Sequence, residues 1–316
     1  MARSASALVG LMPLCIGRLS TFVVGVILVT APGLRTQEST PLPSLVEIAV
    51  RLDQSSAAAR FDSLLRLLDE HGLVYEIDAF PNPKADEVGP NVGRNVIITI
   101  GSGDRDLVIG AHADAAVLSD GSLSHGMVDN AAAVAVLIHV TGTLLEETVR
   151  HRIQVVFFDL EELGLLGSAH FASTIGRDRV DAMVNLDIVG YGDTLIYGPA
   201  AAAGNDTVYG AVRDACANGR HECLEFDRFP PGDDRSFQAA GIPNVSLATL
   251  PRAEAHQLWL TLNAGPHSAL REQFVPPILR TIHTPGDTAD KFDATGMKLA
   301  YEAVLGLVRE LDRDAH

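Results

Sequence analysis

The stretch that most constrains this chain is Gln154-Val155-Val156-Phe157-Phe158, which runs into Asp159, Glu161 and Glu162. A short run of β-branched and aromatic residues fits a strand buried on both faces of a sheet. Such a strand has no solvated side, so its chemistry must appear where it ends. In open α/β sheets ligands bind beyond that carboxyl edge. The three acids would equally suit the first turn of a following helix, where the macrodipole favours negative charge. The run alone leaves both readings standing.

The flanking segments alternate between helical and strand-like patterns. From Ser44 to His71 apolar residues recur at helical spacing (Leu45, Ile48, Ala49, Leu52, then Phe61, Leu64, Leu65, Leu68), and Gly72 acts as a stop. Leu73 to Phe80 alternates as an edge strand does, and Pro81, Pro83 and Pro90 mark a loop. Asn95 to Ile100 and Leu107 to Ile109 read as strands. The intervening Gly101-Ser102-Gly103-Asp104 lacks the dinucleotide-binding pattern. An alanine-rich helix is expected from Gly126 to about Glu147 and a shorter one from Gly164 to Ile175. Val180 to Ile188 is a further strand, Thr207 to Ala217 a helix and Ile242 to Leu250 a strand. An amphipathic helix from about Asp293 to Leu311 closes the chain. This alternation predicts an α/β fold: one domain with a mostly parallel central β-sheet flanked by helices.

The amino terminus reads as an export signal. Arg3 and Arg18 are the only charges before Arg35, and Leu19 to Ala31 is almost wholly apolar or small. That length suits a signal core and is short for a bilayer span. Val29-Thr30-Ala31 offers small residues at a cleavage site. Residues 1–31 are therefore expected to be a signal peptide, or an anchor if uncleaved. Residues 32–43 would be a linker and 44–316 the folded domain. The product is expected to be periplasmic or extracellular, membrane-attached only through an uncleaved anchor. The net charge of -16 disfavours nucleic acid and anionic membranes, whose phosphates it would repel. Of the three cysteines, Cys15 falls in the signal. Cys216 and Cys223 remain, as a disulfide suited to an exported chain or as two separate thiols.

Several candidate donors fall at strand ends. His112 and Asp114 stand two apart after the Leu107 strand, so they face one side if the extension persists. In that arrangement the acid can orient an imidazole that ligates a metal. Asp129 and Asn130 open the alanine-rich helix, where capping is the simpler role. Asp187 lies between Leu186 and Ile188, and a buried carboxylate is costly unless paired or bound to a cation. His283 ends a polar loop. Together His112, Asp129, Glu162, Asp187 and His283 give two imidazoles and three carboxylates, a donor set for zinc or a similar first-row divalent ion. Two such ions would balance the three carboxylates and one hydroxide, whereas a single ion leaves carboxylates in excess. No G-x-S-x-G elbow occurs, and His221-Glu222 lacks the second His of H-E-x-x-H.

In order, the segments are His112-Ala113-Asp114, Gly126-Met127-Val128-Asp129-Asn130-Ala131, Asp159-Leu160-Glu161-Glu162-Leu163-Gly164-Leu165-Leu166-Gly167-Ser168, Asn185-Leu186-Asp187-Ile188-Val189-Gly190 and His283-Thr284-Pro285. This series resembles the zinc-dependent M28 peptidases, among them bacterial exported aminopeptidases. The resemblance implies a zinc-exopeptidase fold of the phosphorylase/hydrolase type, two zinc ions, and peptide substrates with a free N-terminus. It implies that His112 and Asp187 bind one metal, that Glu162 and His283 bind the other, and that Asp129 bridges them. Glu161 would be the general base and Asp114 would orient His112. Many relatives carry Ser-Asp-His where this chain reads Gly232-Asp233-Asp234, and some carry a Tyr where it has Ile282. Tyr191 is the nearest alternative phenol in sequence. A single-zinc glutaminyl cyclase, a carboxypeptidase or dipeptidase, and an inactive binding domain are the competing expectations.

Overall fold

The computed structural model describes residues 42–85, 89–200, 204–264, 275–292 and 294–313. The expected signal or anchor and residues 32–41 of the expected linker lie outside the described residues. Eight strands form one sheet: β1 (Glu76–Pro81), β2 (Val92–Ile100), β3 (Asp106–His112), β4 (Arg152–Phe158), β5 (Val180–Leu186), β6 (Thr194–Gly198), β7 (Cys223–Glu225) and β8 (Asn244–Leu250). Their spatial order is β1-β2-β4-β3-β5-β8-β6-β7. The centre is parallel, with β4, β3, β5 and β8 pairing in one direction. Antiparallel pairs lie outside it, at β1–β2, β2–β4 and β6–β8.

The apolar run of β4 is buried on both faces, as its composition predicts. Val155 and Phe157 face one hydrophobic cluster, Val156 and Phe158 the other. The larger cluster is covered by α1 (Leu45–Val50), α2 (Ala57–Glu70), α3 (Ala132–Leu145), α5 (Asp206–Gly219), α7 (Arg252–Asn263) and α8 (Ala294–Arg313). The smaller one is covered by α4 (Leu166–Ile175) and α6 (Asp234–Ala239), through Phe171, Ala172 and Phe237. Gly110 in β3 is what lets the Phe158 ring settle on the adjacent strand: a Cβ there would fall 2.2 Å from it.

Local chemistry sets the helix boundaries. The stretch from Ser44 to His71 is two helices, because each has its own cap. The Ser44 hydroxyl accepts from Glu47 N at 3.3 Å while Glu47 Oε2 accepts from Ser44 N at 2.8 Å, a reciprocal capping box. Ser56 caps α2 by accepting from Ala59 N. The alanine-rich helix is preceded by a kinked segment over Met127–Ala131, in which Asp129 and Asn130 have non-helical backbone. Strand β5 stops at Leu186, one residue short of Asp187, because Ile188 turns left-handed at φ 57°. Cys216 of α5 and Cys223 of β7 are joined in a disulfide.

Candidate metal centre

From β3 the chain first adds β4 on one side of β3 and later β5 on the other. That reversal opens a crevice beyond the carboxyl ends of these strands. Each strand delivers a candidate to it. His112 ends β3, Glu161 and Glu162 follow β4, and Asp187 follows β5. Asp129 arrives on the kinked segment before α3 and His283 on the loop after a 3-10 turn at Pro277–Arg280. Three non-glycine residues here adopt left-handed backbone: Leu160 (φ 58°), Ile188 (φ 57°) and His283 (φ 56°). Such conformations cost about 1–3 kcal/mol each and gather at functional sites. Two of them adjoin an acidic candidate and the third is itself a candidate.

The five candidate donors meet around Asp129. His112 Nε2 lies 3.0 Å from Asp129 Oδ1 and 3.6 Å from Asp187 Oδ1. His283 Nε2 lies 3.1 Å from Asp129 Oδ2 and 3.1 Å from Glu162 Oε2. The two oxygens of Asp129 thus face different imidazoles, each with its own further carboxylate. Glu162 Oε1 and Asp187 Oδ1 are buried without a hydrogen-bond partner. Ligand atoms of His112, Asp129 and Glu162 fall within 4.8 Å of one another. Orphaned buried donors in a mixed imidazole and carboxylate set fit a divalent metal such as zinc.

The electrostatics without a cation show the same crowding. Burial opposes charge on His112, but Glu161 and its acidic neighbours outweigh it and raise the imidazole well above its ordinary range. Hydrogen bonding to Asp129 and Glu162 raises His283 to about 10. Burial raises Asp187, with Asp129 adding repulsion and His112 opposing both. Burial likewise lifts Glu162 against its bond to His283. Burial lifts Glu161 to about 10, with His112 pulling down and Asp233, Asp187 and Asp114 pushing up.

Around this centre, other residues hold the loops. Asp114 lies 3.4 Å from His112 Nδ1, and its two oxygens accept from Glu161 N at 3.1 Å and Glu162 N at 3.2 Å. It therefore ties β3 to the turn after β4. Asn130 donates to Leu186 O at 2.9 Å and accepts from Ile188 N at 3.3 Å, bracketing Asp187. Asp159 accepts from Arg94 N and Leu160 N, a structural use. Tyr191 donates to Glu254, not into the crevice.

Sequence reasoning missed two of these supports. Arg60 is 1 % exposed and donates to four main-chain carbonyls, those of Leu52, Ala113, His125 and Gly126, at 2.7–3.0 Å. It joins the segment of His112 and Asp114 to the one leading into Asp129. Its signal was a charge on the apolar face of α2, one turn before Leu64. Asp287 accepts from Val128 N at 2.8 Å and Asp129 N at 3.1 Å, and it had no signal in its polar loop. Where relatives carry Ser-Asp-His, Asp233 and Asp234 are buried and Gly232 passes close by. A Cβ on Gly232 would sit 3.1 Å from Asp187 Oδ2. Burial raises both acids to about 7.

An α/β sheet with a cluster of imidazoles and carboxylates at its switch point defines a metallohydrolase-like class. Residues 95–308 match the model of peptidase family M28, and the chain belongs to that family. No curated protein matches its sequence significantly. Among solved structures it resembles a zinc aminopeptidase from Bacillus subtilis at 21% identity and TM-score 0.57. That match covers 72% of this chain and 52% of the other, so this chain spans about half of that enzyme. It also resembles a Zn-dependent exopeptidase from Parabacteroides distasonis (18% identity, TM-score 0.62, 84% of this chain and 99% of the other). An Acidobacteriales bacterium glutaminyl cyclase matches at 19% identity and TM-score 0.63, over 90% of this chain and 99% of the other. The shared fold is that of zinc exopeptidases.

Proposed function

We propose that this chain is an exported aminopeptidase that holds two zinc ions, or another first-row divalent metal, and removes N-terminal residues from peptides. One observation carries the reading: Asp129 offers one oxygen to the His112 and Asp187 side and the other to the Glu162 and His283 side. A carboxylate so divided suits a bridge between two cations. His112 and Asp187 would hold one ion, Glu162 and His283 the other. Ions held there supply an acidified water and a polarised substrate carbonyl.

The chain's own residues do the rest. Glu161 reaches the crevice from the turn fixed by Asp114, and as a carboxylate it takes the water's proton. It then gives that proton to the departing amine, returning to its starting form. Asp114 holds the His112 ring from its far nitrogen, so that Nε2 points inward. The acids on the Asp187 side attract a protonated substrate terminus. Export is supported by the disulfide, which persists in oxidising compartments.

Comparing free and N-acetylated forms of one peptide tests the assignment. The zinc-loaded enzyme should cleave the free form, and acetylation should lower kcat/KM by orders of magnitude. Equal rates would point to an endopeptidase or carboxypeptidase. A single-zinc glutaminyl cyclase is the second reading, favoured by the near-complete overlap with the Acidobacteriales cyclase. A peptide beginning with Gln separates them: the cyclase reading requires ring closure with release of ammonia and no cleavage.

A further inference from the structure

Beside the metal centre lies a cavity of about 360 Å³ that the assignments above do not use. Its walls are apolar: Phe61 of α2, Val92 at the start of β2, Val117, and Leu160 and Leu163 of the turn that carries the paired glutamates. Asp114, Asp159 and Glu162 complete the lining, Asp114 and Glu162 on the side of the crevice. The Arg94 side chain lies flat over the Phe61 ring at 3.7 Å and stiffens that wall. Val92 is 48% exposed and Val117 60% exposed, large apolar side chains presented to solvent at the rim. A concave apolar site with few polar groups is how proteins take an apolar ligand group.

The flank on which it lies decides which group. His112 stands between Asp187, facing its Nε2, and Asp114, facing its Nδ1. Asp233 and Asp234 are buried on the Asp187 flank. Neither oxygen of Asp233 has a hydrogen-bond partner, nor has Asp234 Oδ2. Those unpartnered oxygens draw the substrate's ammonium, whereas Asp114 and Asp159 beside the cavity already accept from main-chain N–H groups, so the first residue of the substrate lies on the Asp187 side. The chain beyond the scissile bond then runs towards Glu162 and Asp114, where the cavity opens. Resting on the aminopeptidase reading, we propose that this cavity is the subsite for the residue after the scissile bond and selects an apolar side chain there.

The experiment uses the zinc-loaded full chain and Ala-X-Gly peptides, with X as Gly, Ser, Asp, Leu or Phe. Burying a Leu or Phe side chain should raise kcat/KM at least about ten-fold over X as Gly. Val92→Asp, which sets a carboxylate at the rim, should reduce that preference to about two-fold or less while Ala-Gly-Gly is cleaved as before. Cleavage that ignores X, or a preference that Val92→Asp leaves untouched, overturns the subsite and spares the aminopeptidase reading. Failure to cleave any of the five peptides overturns both.

Discussion

Replacing Glu161 by Gln separates the proposed proton transfer from the architecture that supports it. Among the described residues the Glu161 side chain makes no hydrogen bond; its main chain alone is engaged, the N–H donating to Asp114 and the carbonyl accepting from Gly164 N and Leu165 N. Burial lifts its carboxyl to about 10 in the absence of cations, so at neutral pH the metal-free side chain is an uncharged acid. Gln is an uncharged group of the same shape. With no hydrogen bond lost, stability of the metal-free protein should change by less than about 1 kcal/mol. Losing the base should lower kcat by about 10²–10⁴, equivalent to about 3–5 kcal/mol on the barrier. KM and metal content should stay near wild type. Steady-state hydrolysis of a free-amine peptide, metal analysis and thermal melting of the same preparation provide the assay. Glu162→Ala is the contrast, because it removes a proposed ligand and should lose one metal. If Glu161→Gln loses metal while Glu162→Ala keeps both ions, the two roles are reversed. A drop in kcat of less than ten-fold with metal retained means the base lies elsewhere.

Three further outcomes follow from the geometry. Arg60→Met leaves four buried carbonyls without their donor and should cost about 4 kcal/mol or more in denaturant unfolding. Arg60→Lys should fold but hold zinc at least about ten-fold more weakly in chelator competition. Loading zinc at pH 7 should release about three protons per chain: His112 and His283 are raised above neutrality and must be uncharged to ligate, and Glu161, raised to about 10, must become a carboxylate to act as base. Metal affinity should therefore fall as pH falls, and a dye titration showing no release contradicts the account. Replacing Cys216 and Cys223 together by Ser should lower stability by about 2.5 kcal/mol, the chain-entropy value for so short a loop.

The centre was legible because strand ends in an α/β sheet converge, so donors scattered over the sequence could be grouped before their distances were known. β4 was plain from its run of apolar residues, and Asp187 from being an acid against an apolar strand. The supports were harder to read. Arg60 bonds carbonyls, and a main-chain partner has no sequence signature. Asp287 acts the same way on amide groups. β7 has only three residues and β6 five, too few for a periodicity to emerge. α6 has six residues and opens on the unusual Asp234. α7 buries only Ala255 and Leu258, so it carries almost no apolar stripe. The break between α1 and α2 was written in Ser44 and Ser56, but apolar spacing alone runs across it.

The central claim is the two-ion site divided by Asp129, and the zinc-to-protein ratio tests it most directly. Purified full chain, loaded with zinc and freed of excess, should contain two zinc ions per chain by elemental analysis. Asp129→Ala should retain at most one, because both halves of the site lose their shared carboxylate. A wild-type ratio that saturates at one, with full activity, contradicts the account and favours the single-zinc cyclase.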